Sequence, residues 1–211
     1  MSVTFAMHPR PSKIVCVGRN YAAHAKELGN DVPLEPLIFL KPPSSIIGAG
    51  EFIRLPAVSN QVEYEGEIGV VLGGRLRKAT LDQAREAIAG IVAANDVTAR
   101  DLQKSDSQWT RAKGFDTFCA LGTVAPAPKD LASLTLTTRV NGEVRQTGRA
   151  TDMVFDIPTV LVYISTVMTL EIGDLVLTGT PDGVGTLAPG DVVEVEIAGV
   201  SRVSNPVTSD V

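Results

Sequence analysis

Three glutamates alternate along one short run, Val62-Glu63-Tyr64-Glu65-Gly66-Glu67-Ile68-Gly69-Val70-Val71-Leu72. The apolar, β-branched end of the run predicts a strand entering a core. Strand side chains alternate faces, so Glu63, Glu65 and Glu67 are expected to point the same way. Two carboxylates about 5 Å apart, at an effective dielectric near 20, repel by roughly 3 kcal/mol. A face that carries this repulsion either stays in water or holds a cation. Asp96 closes a second apolar run, Ile91-Val92-Ala93-Ala94-Asn95-Asp96. A carboxylate leaving a buried strand is costly unless it is paired or coordinated. Asp96 therefore either caps a turn and pairs with Arg100, or joins Glu65 and Glu67 in an oxygen-only cage with open positions. Such a cage suits Mg²⁺ or Mn²⁺, and Ca²⁺ less well with only three protein ligands. Glu65 and Glu67 lie nearer the apolar end and are preferred as ligands over Glu63.

Histidine is scarce, with only His8 and His24 in the chain. In a helix His24 and Glu27 are i,i+3 neighbours, and a carboxylate beside an imidazole fixes its tautomer, as a general base requires. A surface ion pair is the competing reading of the same spacing. Arg19, Lys41, Arg100 and Lys113 form a set of cations. Three carboxylates with one divalent metal leave a net charge of −1, so an anionic substrate at that place needs positive groups nearby. Each cation, taken alone, also reads as ordinary surface. The segment Thr178-Gly179-Thr180-Pro181-Asp182-Gly183-Val184-Gly185 lacks the Gly-Lys-Ser/Thr ending of a phosphate loop. It reads as a tight loop whose backbone N–H groups or Thr180 hydroxyl could meet a ligand carboxylate, or as a glycine-rich turn. The chain has no Gly-x-Ser-x-Gly elbow and no zinc-type Cys/His cluster.

The elements that must position these residues are mostly strands. β-like runs cover Lys13–Val17, Leu37–Leu40, Ile68–Leu72, Ile91–Ala94, Leu134–Val140, Leu175–Thr178 and Val192–Ile197. Val140-Asn141-Gly142-Glu143 predicts a type I′ hairpin, because Asn-Gly supplies the two positive φ angles. Tyr21–Leu28 predicts a short helix ending at Gly29. Thr80-Leu81-Asp82-Gln83 has the form of a capping box, leading into Ala84–Ala89 and a stop at Gly90. Asp156-Ile157-Pro158 opens a third helix, against which the following β-branched residues argue. Pro126-Ala127-Pro128 reads as a local linker. The pattern predicts one α+β domain over residues 1–211, β-rich and built on rolled sheets. Strands and helices do not alternate as a doubly wound fold requires.

Composition agrees with a globular core: 44% of residues are hydrophobic and 20% charged. A net charge of −5 offers no basic footprint for nucleic acid. No segment approaches the ~20 apolar residues that cross a bilayer, and the first residues lack the pattern of a signal peptide. The two cysteines, Cys16 and Cys119, have no metal-type spacing, and a reducing compartment such as the cytoplasm is expected.

These segments together resemble the fumarylacetoacetate hydrolase family, over about residues 14–197. The motifs that carry the resemblance are Val17-Gly18-Arg19-Asn20-Tyr21 with His24 and Glu27, Phe39-Leu40-Lys41-Pro42, and Glu65-Gly66-Glu67-Ile68-Gly69-Val70-Val71. Asn95-Asp96-Val97-Thr98-Ala99-Arg100-Asp101, Lys113-Gly114-Phe115-Asp116 and Leu177-Thr178-Gly179-Thr180-Pro181-Asp182-Gly183-Val184-Gly185 follow in order. The resemblance implies a mixed β-sandwich roll, a homodimer, and a divalent metal, Mg²⁺ or Mn²⁺, on Glu65, Glu67 and Asp96. Larger members carry a fourth acidic ligand where this chain reads Cys16-Val17-Gly18, which implies the three-carboxylate version. It implies a lid bearing His24 and Glu27, with Arg19, Lys41, Arg100, Gln103, Lys113 and Thr180 lining a pocket for a small anionic 2-oxo acid. The expected reaction is hydrolysis of a C–C bond in acylpyruvates through a metal-bound enolate. In it His24 and Glu27 activate water, and Lys113 stabilises developing charge. Isomerisation or decarboxylation of hydroxyheptadienedioate-type substrates or oxaloacetate is the alternative, and a non-catalytic Ca²⁺-binding β-domain is a third.

Overall fold

The structure, a computed structural model, describes residues 10–210. His8 and the reading of the first residues as lacking a signal peptide lie outside the described residues. The chain builds a large mixed sheet in the order Leu37–Lys41, Ile14–Gly18, Leu175–Leu177, Gly66–Leu72, Ile88–Asp96, Cys119–Leu121, Ile46–Ile47. Ala125–Pro126 adds beside Ile88–Asp96, so the expected linker contributes its first proline to an edge pairing. Ile14–Gly18 runs parallel to Leu175–Leu177, and Ile46–Ile47 parallel to Cys119–Leu121; the other pairs are antiparallel. A second sheet has the order Glu143–Arg149, Thr135–Val140, Val192–Ile197, Ser201–Ser209, Ile53–Leu55. A small third sheet joins Gly185–Thr186, Val62–Tyr64 and Thr98–Ala99. The result is the strand-rich α+β roll that the sequence predicts.

The central strands of the large sheet read as near-continuous apolar runs because both of their faces are covered. Val15, Val70, Ile91, Ala93 and Val176 face one cluster, while Ile14, Cys16, Val92, Ala94 and Leu177 face another. Each fully buried Val, Leu or Ile contributes about 1.5–3 kcal/mol relative to exposure. Val192–Ile197 alternates between exposed and buried positions as its sequence alternates. The Asn141-Gly142 turn takes φ of 54° and 82°, the positive pair of a type I′ hairpin, and pairs Val140 with Glu143.

One helix boundary moves in the structure, the helix opened at Asp156 forms as expected, and one further strand appears. The capped helix runs Leu81–Glu86, with the Thr80–Gln83 box in place, rather than Ala84–Ala89. It stops early because the Ala87 carbonyl accepts the Gly73 N–H at 2.7 Å and Ile88 already pairs with Leu72. Ile157–Val167 is a helix of 11 residues with Asp156 capping Thr159, so the β-branched run does not prevent it. Ile157, Val160, Leu161 and Ile164 are buried by tertiary packing, which overrides the weak propensity. The folded core also continues past Ile197 into the nine-residue strand Ser201–Ser209.

Candidate metal centre and active-site cavity

Glu65 sits where the chain leaves the small sheet and enters the large one, between the strands Val62–Tyr64 and Gly66–Leu72. Its N–H donates to Asn95 Oδ1 at 2.9 Å, and its carbonyl accepts the Asp96 N–H at 2.8 Å. Backbone pairing thus fixes Glu65 beside Asp96, the last residue of Ile88–Asp96. Gly66 keeps the crossing tight, since a Cβ there would lie 2.0 Å from Thr138 Oγ1. Glu67 follows on the central strand. Oxygens of Glu65, Glu67 and Asp96 all lie within 4.8 Å of one another. Relative exposures of 6% for Glu63, 4% for Glu65, 2% for Glu67 and 0% for Asp96 overturn the solvated-face reading of the glutamate run.

Cations compensate these carboxylates in part. Lys113, from the helix Thr110–Gly114, places Nζ 2.7 Å from both Glu65 Oε2 and Asp96 Oδ2. Arg100 opens the helix Arg100–Ser105 and donates from Nε to Glu63 Oε2 at 2.7 Å, from Nη2 to Glu65 Oε1 at 2.5 Å, and from Nη1 to Gln103 Oε1 at 2.5 Å. Glu63 is therefore the counter-ion that holds Arg100 in place. Asp96 forms no pair with Arg100, so the turn-capping reading of Asp96 is also replaced. Lys41 Nζ lies 2.7 Å from Asp96 Oδ1 but donates its hydrogen bonds to the carbonyls of Lys113 and Val97. Asp96 Oδ1 keeps that charge contact without an aligned hydrogen bond.

The ionisation of the cluster is uneven. Burial alone would raise Glu65, but Lys113 and Arg100 outweigh it and hold this carboxyl well below its ordinary range. Burial and the neighbouring Asp96 and Glu65 push Glu67 well above its ordinary value, with only the Gly179 N–H, at 2.7 Å, donating to it. Burial would lower Lys113, yet Asp96 and Glu65 raise it, so its ammonium stays protonated. A buried carboxylate oxygen without a hydrogen bond and a carboxylate short of positive charge are what a divalent cation would correct. The all-oxygen donor set suits Mg²⁺ or Mn²⁺, so the residues fit the group.

The cluster forms the floor of a cavity of about 380 Å³. Arg19, His24, Glu27, Glu65, Glu67, Asp96, Arg100, Gln103, Lys113 and Thr180 all line it, together with Phe39, Lys104 and Trp109. Lys41 is the exception among the expected pocket residues: it is 1% exposed and lies behind Asp96, outside the lining. His24 lies on the helix Ala22–Glu27, whose end is marked by Gly29 at φ 69°. His24 Nδ1 is 3.2 Å from Glu27 Oε2, and Glu27 Oε1 accepts the Gly183 N–H at 3.0 Å. The helix is thereby tied to the loop that also carries Gly179 and Thr180.

Sequence reasoning missed three residues that organise the site, two of which brace this loop. Gln146, from the hairpin strand Glu143–Arg149, accepts the Gly66 N–H at 3.0 Å and donates to Thr180 Oγ1 at 2.8 Å and the Pro181 carbonyl at 2.9 Å. Asn20 donates to the Thr178 and Phe155 carbonyls and accepts the Phe155 N–H. Asn95 orients Glu65. No spacing marks Gln146, whereas Asn20 and Asn95 stand inside motifs whose charged neighbours carry the stronger signal.

A mixed-sheet roll carries a buried acidic triad that could hold a divalent metal, beside a tethered His–Glu pair in a cation-lined cavity. The sequence matches the fumarylacetoacetate (FAA) hydrolase C-terminal family over residues 13–208, and the chain belongs to that family. It is 46% identical over 203 residues to the mitochondrial oxaloacetate tautomerase of Arabidopsis thaliana, covering 93% of this chain and 91% of the relative. It is 46% identical over 196 residues to the mitochondrial oxaloacetate decarboxylase of Dictyostelium discoideum, covering 89% of each. The crystal structure of 2-hydroxyhepta-2,4-diene-1,7-dioate isomerase from Mycobacterium marinum superimposes with a TM-score of 0.87 at 46% identity, over 95% of this chain and 76% of that one. Among the described residues no helix is long and apolar enough to cross a membrane.

Proposed function

We propose that this protein catalyses keto–enol chemistry on small 2-oxo acids, with oxaloacetate-type tautomerisation or decarboxylation favoured over acylpyruvate hydrolysis. The observation that carries the reading is the joint presence, in one cavity, of Lys113, whose ammonium lies 2.7 Å from both Glu65 and Asp96, and His24 in contact with Glu27. A divalent cation on Glu65, Glu67 and Asp96 would polarise a 2-oxo group as a Lewis acid. Lys113 adds fixed positive charge where an enolate oxygen develops. With Nδ1–H donated to Glu27, His24 keeps Nε2 as the position that takes up a proton from carbon and returns it to carbon or oxygen. Such proton shuttling needs no water, whereas acylpyruvate cleavage requires the same imidazole to activate one. The named reactions of the relatives, tautomerisation, decarboxylation and double-bond isomerisation, all proceed through enolate character and support this order. Mg²⁺ or Mn²⁺ as metal, the homodimer and a cytoplasmic location belong to the same proposal.

The test is a side-by-side assay of oxaloacetate tautomerisation and decarboxylation, 2-hydroxyhepta-2,4-dienedioate isomerisation and pyruvate release from acylpyruvates, each with Mg²⁺ or Mn²⁺ and after EDTA. Metal-dependent turnover of oxaloacetate, lost by about 10²-fold or more in His24→Ala, is the expected result. Faster pyruvate release from acylpyruvates than any oxaloacetate reaction would restore hydrolysis as the main activity.

A further inference from the structure

Most of the charges around the cavity have partners, and the pattern of the exceptions names a ligand group. Arg100 is held by Glu63, Glu65 and Gln103, and Lys113 by Glu65 and Asp96. On the outer side of the same helices, Asp101 is tied to Ser59 Oγ at 2.6 Å and the Asn60 N–H at 2.8 Å. Asp106 accepts two hydrogen bonds from Arg111, at 2.8 and 2.6 Å. Two lining cations, Arg19 and Lys104, have no carboxylate within ion-pair distance among the described residues. Lys104 lies four residues after Arg100 and one after Gln103, so the Arg100–Ser105 helix turns one face to the cavity, from buried Arg100 to exposed Lys104.

Arg19 is aimed by its backbone. It holds φ of 57°, a conformation costing a non-glycine residue roughly 1–2 kcal/mol. Its neighbours hold it there. A Cβ on Gly18 would lie 3.0 Å from the Trp109 ring, and Asn20 is anchored to Phe155 and Thr178. Strain that a clamped segment maintains next to a cavity is a mark of a positioned side chain.

Charge balance says what the two cations meet. In formal charges with histidine neutral, Glu27, Glu63, Glu65, Glu67 and Asp96 stand against Lys41, Arg100 and Lys113, which leaves two negative charges. A divalent cation cancels these, so Arg19 and Lys104 bring two positive charges to the cavity. One matches the carboxylate next to the 2-oxo group, and the other answers a further carboxylate on the substrate. We propose that Lys104 and Arg19 form a specificity-determining pair that reads the distal carboxylate of a dicarboxylic 2-oxo acid. The proposal rests on the 2-oxo-acid reading above and deepens it.

Two non-reacting ligands isolate the distal group. N-oxalylglycine carries a second carboxylate, and N-methyloxamate is the same framework without it. Calorimetric binding of both is measured with Mg²⁺ present, for the wild type, Lys104→Ala, Arg19→Gly and the double variant. Arg19→Gly removes the guanidinium and relieves the positive φ, and Lys104 is exposed, so neither change threatens folding. The wild type is expected to prefer N-oxalylglycine by about tenfold. The preference falls about threefold in Lys104→Ala, as for a half-exposed ion pair, and approaches one in the double variant. A preference that survives in the double variant, or is missing in the wild type, overturns the assignment. Failure of N-methyloxamate itself to bind with Mg²⁺ is a different result: it removes the 2-oxo-acid reading, and this assignment with it.

Discussion

Gln146 is the residue whose replacement best tests how the metal floor is built. It lies in the second sheet, yet its side chain joins Gly66, between two carboxylates of the triad, to Thr180 and Pro181 on the ligand loop. It is 1% exposed, so water does not replace lost partners at that position. Gln146→Met keeps the length of the side chain and removes its polar atoms. Three hydrogen bonds of about 1 kcal/mol each are lost, and the Gly66 N–H and Pro181 carbonyl are left buried without partners, so stability falls by about 3 kcal/mol. Freed of this brace, Gly66 lets Glu65 and Glu67 drift, and changes of this kind lower metal affinity by about 10–100-fold. Urea unfolding in EDTA reads the first effect without metal. Calorimetric titration of the folded variant with Mn²⁺ reads the second. Stability within about 0.5 kcal/mol of wild type would place the substitution among ordinary surface changes. Combined with an unchanged Mn²⁺ affinity, it would refute the bracing role outright.

Lys113→Met removes one of the two cations at each of Glu65 and Asp96, leaving Arg100 and Lys41 to hold them, so urea unfolding in EDTA should show a loss of about 3 kcal/mol. Mg²⁺ should restore part of it by binding the native state alone, and equal stability in EDTA would contradict the geometry. Asp174 gathers Ser12 Oγ at 2.6 Å, Lys13 Nζ at 2.5 Å and the Glu171 N–H at 2.8 Å; burial opposes its ionisation, but these bonds, with Lys13 foremost, hold its carboxyl below the ordinary range. A depressed carboxyl stabilises the fold above its unfolded value, and that contribution is lost as pH falls through the folded value. Asp174→Asn should therefore cost about 2 kcal/mol at neutral pH, with the gap to wild type closing below about pH 4 in denaturant melts; a gap independent of pH would count against the pairing. Burial pushes the Cys119 thiol up to about 12 and Cys16 upward as well. Both should resist a colorimetric disulfide reagent at pH 8 until the protein is unfolded, and rapid labelling of the native protein would show the strands to be more open than described.

The parts of this fold that were legible share one trait: apolar periodicity or turn chemistry spoke without interference. Val192–Ile197 and the Asn141-Gly142 hairpin are of this kind. Ser201–Ser209 was not recognised because Asn205, 1% exposed, takes a core-facing position that the pattern reserves for an apolar residue. Its amide is satisfied by the carbonyls of Gly48 and Glu51, at 2.7 and 2.9 Å, far away in sequence. The Leu81–Glu86 helix ends early for a related reason, since Gly73, just past the strand Gly66–Leu72, captures the Ala87 carbonyl in place of a local stop signal. At the site, the charged residues announced themselves by being implausible in apolar company. The uncharged braces Gln146, Asn20 and Asn95 did not, because their partners come from elements distant in the chain.

The same contrast explains why Glu67 stands where it does. Glu63 and Glu65 share Arg100, Glu65 and Asp96 share Lys113, and Asp96 faces Lys41. Glu67 has no cation, only the Gly179 N–H, and it lies on a strand buried on both faces. A chain selected for stability alone would carry an apolar residue there, because an unpaired carboxylate in a core is among the costliest placements available. Gly179 is itself held at φ 97°, and a Cβ on it would lie 2.8 Å from Asn20 Cβ, so the loop too is shaped to bring that N–H against the carboxylate. Local rules that fail together, with compensations arranged around the failure, mark a functional site. The missing charge is positive, and the oxygens around it converge, which is why the reading turns on a divalent cation rather than on another buried lysine.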